Sequence, residues 1–125
     1  MPSFAQFVTF KDDGFTVPTP TGEHNYTIDT ISPLADLDTD RDAVLEFSLL
    51  AQGNVHLTMT IKHNNFKFLD HNFRPPEPAS PQVWREIIAG SRLQLQGNEI
   101  VVAVGGTGNV ELSDFTLTYH AQTPG

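Results

Sequence analysis

Between Ala43 and His63 the chain reads AVLEFSLLAQGNVHLTMTIKH, and large apolar residues recur on every second position in two successive runs. Leu45, Phe47 and Leu49 alternate with Val44, Glu46 and Ser48. After Gln52-Gly53-Asn54, Val55, Leu57, Met59 and Ile61 alternate with His56, Thr58, Thr60 and Lys62. A period of two gathers one set of side chains on one face of an extended strand, whereas a helix would scatter the same set around its axis. Two such runs broken by a Gly-Asn turn predict a β-hairpin with one face in a core.

The rest of the chain fits that start. NEIVVAV, Asn98 to Val104, is apolar on both faces and reads as a central strand, pairing through GGTGN with VELSDFTLTYH. In that last run Val110 and Leu112 keep one phase and Phe115, Leu117 and Tyr119 the other, which predicts a bulge or a change of sheet near Ser113-Asp114. FAQFVTF and HNYTIDTI add further strands. Only SPQVWREIIAG looks helical, over Ser80 to Ala89. Ser80 can cap it, Pro81 suits its first position, and Gly90 can end it, while Val83, Trp84, Ile87 and Ile88 make one apolar face. On that face Trp84 would close the core. The proline-rich stretches TVPTPTG and RPPEPASP read as loops crossing one end. About eight short strands and one brief helix predict an all-β chain, an antiparallel β-sandwich or jelly roll, as a single domain over residues 1–125.

With no cysteine, such a fold stands on packing alone, and disulfides, thiol catalysis and thiolate metal sites are excluded together. At 125 residues with nine phenylalanines, the chain is long and apolar enough to bury one core. Fifteen acidic residues against seven basic ones give a formal net charge of -8, and the cations form no cluster in the sequence. A polyanion would be repelled, so nucleic acid and anionic membranes are excluded as partners. No run approaches the roughly 18 apolar residues of a membrane span, and MPSFAQFVTFKDDGF lacks the basic end and apolar core of a signal peptide. The expectation is a soluble chain that stays in the cytoplasm, unless it was cut from a larger secreted one.

The C-terminal half carries a resemblance. In SRLQLQGNEIVVAVGGTGNVELSDFTLTY, Leu95, Gly97, Asn98 and Ile100 form a Leu…Gly-Asn-x-Ile phrase leading into two strands, the last running from Phe115 to Tyr119. This is similar to the closing strands of galactose-binding-like β-sandwiches, the jelly rolls used by many carbohydrate-binding modules. The run AVLEFSLLAQGNVHLTMTIKHN resembles the middle of such domains, so the likeness extends from Ala43 onward. It implies the sandwich fold, and it implies a carbohydrate as ligand and a structural calcium as a frequent companion.

Two constellations could carry chemistry. TIKHNNFKFLDHNFRPP repeats a His-Asn phrase and places His63, Asn65, Asp70, His71, Asn72, Phe73 and Arg74 within a short span. Planar hydrogen-bonding side chains beside aromatic rings suit sugar hydroxyls and the apolar face of a pyranose. The competing reading is a polar inter-strand loop flanked by core phenylalanines. Two histidines eight residues apart match no local zinc motif. The second constellation, DLDTDRD, sets Asp36, Asp38, Asp40 and Asp42 at every second residue. That ladder of oxygens would suit calcium, although Arg41 stands where an EF-hand loop needs glycine. Its plainer reading is an acidic turn whose carboxylates cap backbone amides. No Gly-x-Ser-x-Gly elbow or phosphate loop occurs, so no catalytic residue is nominated. The sequence therefore favours a non-catalytic, lectin-like carbohydrate-binding module. The alternative is a structural subunit, of phage or secretion-system type, that works by forming a homo-oligomer.

Overall fold

The computed structural model describes residues 3–11, 14–17, 26–27, 31, 33–74 and 82–122, and these form two antiparallel sheets packed face to face. The strands are β1 (Ser3–Lys11), β2 (Phe15–Val17), β3 (Tyr26–Thr27), β4 (Ala43–Gln52), β5 (Val55–Ile61), β6 (Phe66–Phe73), β7 (Gln82–Ile88), β8 (Ile100–Gly106) and β9 (Asn109–Gln122). One sheet has the order β1-β9-β4-β7, with β2 also on β9, and the other β3-β8-β5-β6. β1 and β2 follow one another along the same edge of β9, from Ser3 opposite Gln122 to Val17 opposite Val110. Counted as one interrupted strand, they leave eight strands among the described residues, arranged as a jelly roll in which successive strands lie in opposite sheets except β5 and β6. The fold expected from the alternation and from the resemblance is the fold observed.

The alternation sets the core. Along β4, Ala43, Leu45, Phe47 and Leu49 are buried and their neighbours half-buried, and β5 buries Val55, Leu57, Met59 and Ile61 in the same way. Phe47 stacks on Phe115 of β9 with ring centroids 4.8 Å apart, and Phe10 of β1 approaches Phe115 at 5.7 Å. The bulge expected near Ser113-Asp114 is present. Asp114 has a positive φ of 56°, and the β4–β9 register slips by one residue between Glu46 and Ser48. The extra residue explains why Val110 and Leu112 are buried on one phase and Phe115, Leu117 and Tyr119 on the other.

Three expectations need correction. β4 and β5 are not a hairpin, because β4 pairs with β7 and β9 while β5 pairs with β6 and β8. The Gln52-Gly53-Asn54 turn carries the chain from one sheet to the other, and GGTGN does the same from β8 to β9. The two arches lie side by side, with the Thr107 and Gly108 amides donating to the Asn54 carbonyl at 2.9 and 3.1 Å. β8 is central, but it buries Ile100, Val102 and Val104 on one face only, leaving Val101 and Ala103 half-buried on the other.

The helix expected over Ser80 to Ala89 is a strand where it is described. Ser80 and Pro81 lie outside the described residues, and Gln82–Ile88 forms β7, paired with β4 from Ile88 opposite Ala43 to Gln82 opposite Leu49. Trp84 does pack on the core, from a strand and opposite Phe47. Val83 and Ile87 face outward, 61% and 70% exposed. The other described helical turns are two 3-10 segments, Lys62–Asn64 and Gly90–Arg92. Of HNYTIDTI only Tyr26, Thr27 and Ile31 are described, and the proline-rich stretches 18–22 and 75–81 lie outside the described residues.

The Gly-Asn-x-Ile phrase has a packing reason. Asn98 is fully buried, its Nδ2 donating to the Gln94 carbonyl at 2.6 Å and its Oδ1 accepting the Gln94 amide at 3.0 Å. A buried amide satisfied on both sides holds the loop before β8 in one conformation.

Candidate functional site

β6 is the edge strand of its sheet, and its register decides which side chains face solvent. Ile61 pairs with Phe66 and Thr60 with Lys67, but Met59 pairs with Leu69, so Phe68 is an extra residue in a bulge. The bulge keeps both Phe66 and Leu69 on the core side. Beyond it, Asp70 lies opposite Thr58 and Asn72 opposite His56 on the outer face. The neighbouring strand β8 places only Ala103 and Gly105 opposite Thr58 and His56. Small residues on β8 beside polar ones on β5 and β6 leave a shallow polar depression.

Within it His56 Nε2 meets Asp70 Oδ1 at 2.5 Å, and Lys67 Nζ stands 3.8 Å from Asp70 Oδ2. The hydrogen bond from His56 holds the Asp70 carboxyl below the usual carboxylate range. Desolvation acts in the opposite direction, and the charges of His56 and Lys67 add to the lowering. At the end of the strands the depression deepens into a cavity of about 170 Å³ lined by Asn54, Val55, His56, Asn72, Phe73, Arg74 and Gly106. Phe73 is buried and forms its apolar floor with Val55, while Asn54, His56, Asn72 and Arg74 bring planar polar groups to it. The volume lies under the roughly 300–1,000 Å³ of drug-sized pockets, which suits one small ring held at a surface.

The expected site residues thus divide into three places. Asn72, Phe73 and Arg74 line the cavity, with Asp70 beside it through His56. They belong to strand β6 and the residue after it, which corrects the reading of this stretch as an inter-strand loop. His71 pairs with buried Leu57 and so turns toward the seam between the sheets. Its ring packs against Phe73 at 4.5 Å and Trp84 at 5.2 Å, and Phe73 meets Trp84 at 5.6 Å. The Trp84 indole N–H donates to Glu86 Oε1 at 2.7 Å. His63 and Asn65 stand at the opposite end of β6, in the 3-10 turn that joins it to β5, where Asn65 takes a left-handed conformation with φ 54°. The repeat that looked like one site in sequence is stretched across a whole strand.

The sequence reading missed Asn54, His56 and Gly106 as lining residues. His56 was legible: antiparallel pairing across the Lys62–Asn65 turn sets it opposite Asn72.

The aspartate ladder is not brought together as a cation site. Asp38 is buried, its Oδ1 accepting the Asp40 amide at 3.0 Å and its Oδ2 standing 3.9 Å from Arg41 Nε. Asp36 lies at φ 57°, and its carbonyl accepts the Gln122 amide, while the Asp38 amide donates to His120. Asp36, Asp40 and Asp42 are exposed. Among the described residues no three of His, Asp and Glu are placed to hold a metal ion. The turn-capping alternative describes Asp38: its carboxylate closes a turn pinned to the end of β9.

No family model matches the chain, and no curated protein matches it. Among solved structures it is similar to dimeric latent PorU from Porphyromonas gingivalis, with a TM-score of 0.61 and 10% identity over 98% of this chain; the chain spans 13% of the PorU chain. A family 29 carbohydrate-binding module complexed with cellulohexaose aligns at a TM-score of 0.46 and 9% identity, covering 91% of each chain. Another structure of a family 29 module aligns at 0.47 and 9% identity, covering 92% of this chain and 89% of that one. The PorU likeness is one of fold.

Proposed function

We propose that the chain is a non-catalytic binding module that holds a single carbohydrate unit in the cavity at the end of β5 and β6. The observation that carries this reading is the convergence of Asn54, His56, Asn72 and Arg74 around an apolar floor of Val55 and Phe73. Sugars offer hydroxyls in fixed directions around an apolar ring face, and planar amide, imidazole and guanidinium groups match those directions at little entropic cost. The Asp70–His56 pair keeps the imidazole in one orientation, so that its edge toward the cavity is preorganised.

Glycan-array screening followed by calorimetry tests this. Asn72→Ala and His56→Ala, both exposed positions, should each weaken binding about tenfold, the worth of one well-placed hydrogen bond, with the melting transition of Asn72→Ala unchanged. Affinity should be the same with calcium and with a chelator, because the carboxylate nearest the cavity is already engaged by His56 and Lys67. A folded chain that binds no glycan on the array would overturn the reading.

A further inference from the structure

The first copy of the His-Asn phrase plays no part in the cavity just described, yet it borders one of its own. At the opposite end of the same sheet, Lys62, His63, Gly97 and Glu99 surround a cavity of about 290 Å³, larger than the first. We propose that this is a second hydroxyl-binding site for a neutral sugar, and that the module is bivalent along one sheet; the identity of the ligand class rests on the reading given above.

The segments that border it are tied together, and their chemistry is complementary. Lys62 Nζ stands 3.4 Å from Glu99 Oε2, and the two residues are also tied through the backbone, the Lys62 amide donating to the Glu99 carbonyl at 2.9 Å. The turn that carries Lys62 and His63 is fixed from several sides. Asn64 Nδ2 donates to the Arg92 carbonyl at 2.9 Å, Asn64 Oδ1 accepts the Phe66 amide, and the Arg92 guanidinium lies 4.4 Å over the Phe66 ring. Gly97 has a φ of +77°, a conformation that side-chain-bearing residues rarely take, and its carbonyl accepts Gln94 Nε2 at 3.2 Å, which holds that wall in place.

A lysine ammonium offers three donors and a carboxylate offers several acceptor positions, so the pair can receive and donate to neighbouring hydroxyls at once. Because the two charges face one another, the pair carries no net charge toward a ligand, which favours a neutral polyol over an anion. His63 adds an exposed imidazole on the same rim. The two cavities stand at opposite ends of β5, a strand of seven residues. At about 3.3 Å per residue they are roughly 20 Å apart, close enough for one polysaccharide chain to engage both.

The test is an amide-resolved NMR titration of the whole chain with methyl β-glucopyranoside, methyl β-galactopyranoside and methyl α-mannopyranoside. The proposal expects two separate groups of shifting amides for at least one probe, one around residues 54–56 and 72–74 and one around 62–65 and 97–99. Glu99→Gln and Lys62→Ala should each weaken the second group at least tenfold and leave the first unchanged. Asn72→Ala should do the reverse. Lys62 has a well-exposed side chain, so its variant guards against a fold defect in Glu99→Gln. Shifts confined to the first group overturn bivalency and leave the function standing. Shifts confined to the second overturn the first site, and bivalency with it, while the second site stands; no shifts with any probe overturn both sites.

Discussion

His56 and Asp70 hold each other across β5 and β6, and the consequence is a defined acid limb. The folded pKa of Asp70 lies below its unfolded value, so its stabilising effect is present above about pH 4 and is lost as the pH falls through the lower, folded value. Asp70→Asn should therefore reduce the melting temperature slightly at pH 6, and the difference should shrink as the pH falls below about 4, a convergence that calorimetric melts would show. Tyr119 gives the opposite limb. Burial, with the charge of Asp36 added, raises its pKa above the usual 10, and its hydroxyl donates to the Ala35 carbonyl at 3.4 Å. A raised phenol pKa contributes stability below about pH 10 that is lost as the pH rises through the folded value. Tyr119→Phe should thus flatten the alkaline decline in thermal stability above pH 10. At this scale the sequence was half legible. Asn72, Phe73 and Arg74 stood out because polar and aromatic types cluster there, and they line one cavity, whereas His56 could be read only through the pairing of β5 with β6 that sets it opposite Asn72. His63 and Asn65 lie at the other end of β6, since nearness in sequence is not nearness along a strand that extends over about 3.3 Å per residue.

Among the elements, β7 shows where pattern reading meets its limit. Val83, Trp84, Ile87 and Ile88 satisfy a helical face, but the same residues satisfy a strand if Trp84 and Ile88 turn inward and Val83 and Ile87 are left to solvent. The β-branched residues Val83, Ile87 and Ile88 were the competing signal, since such side chains prefer the pleated surface. Pairing with β4 settles the matter through tertiary contact. The two arches were misread for a related reason: a Gly-Asn turn between alternating strands is compatible with both a hairpin and a crossing between sheets, and only the neighbours of each strand distinguish them. The arches depend on close backbone approach. A methyl group added to Gly108 would sit 1.7 Å from the Gln52 carbonyl oxygen and 2.9 Å from Val55 Cγ2, which is impossible without moving one arch. Gly108→Ala should cost at least the roughly 1–3 kcal/mol of an overpacked site, measured by urea unfolding, and should displace the amide signals of Gln52 to Val55.

For the molecule as a whole, the jelly-roll order makes nearly every pairing distant in sequence, with the first strand lying along the last. Chains that must close such long loops before they gain contacts fold in milliseconds to seconds, so stopped-flow refolding of this chain should fall at the slow end of that range. This architecture was legible because alternation marks the buried phase of each strand; the sheet order was not, because a two-residue period says which face is inward and nothing about which strand lies alongside. The seam between the edge strands β6 and β7 adds one more property. Trp84 is the only tryptophan of the chain, and it sits where the two sheets meet, against His71 and Phe73. The protein thereby carries an optical gauge of its own integrity: parting of the layers on that side moves the indole from aromatic contact into water and reddens its emission, whereas fraying of the opposite edge, at β1, leaves it dark to that change.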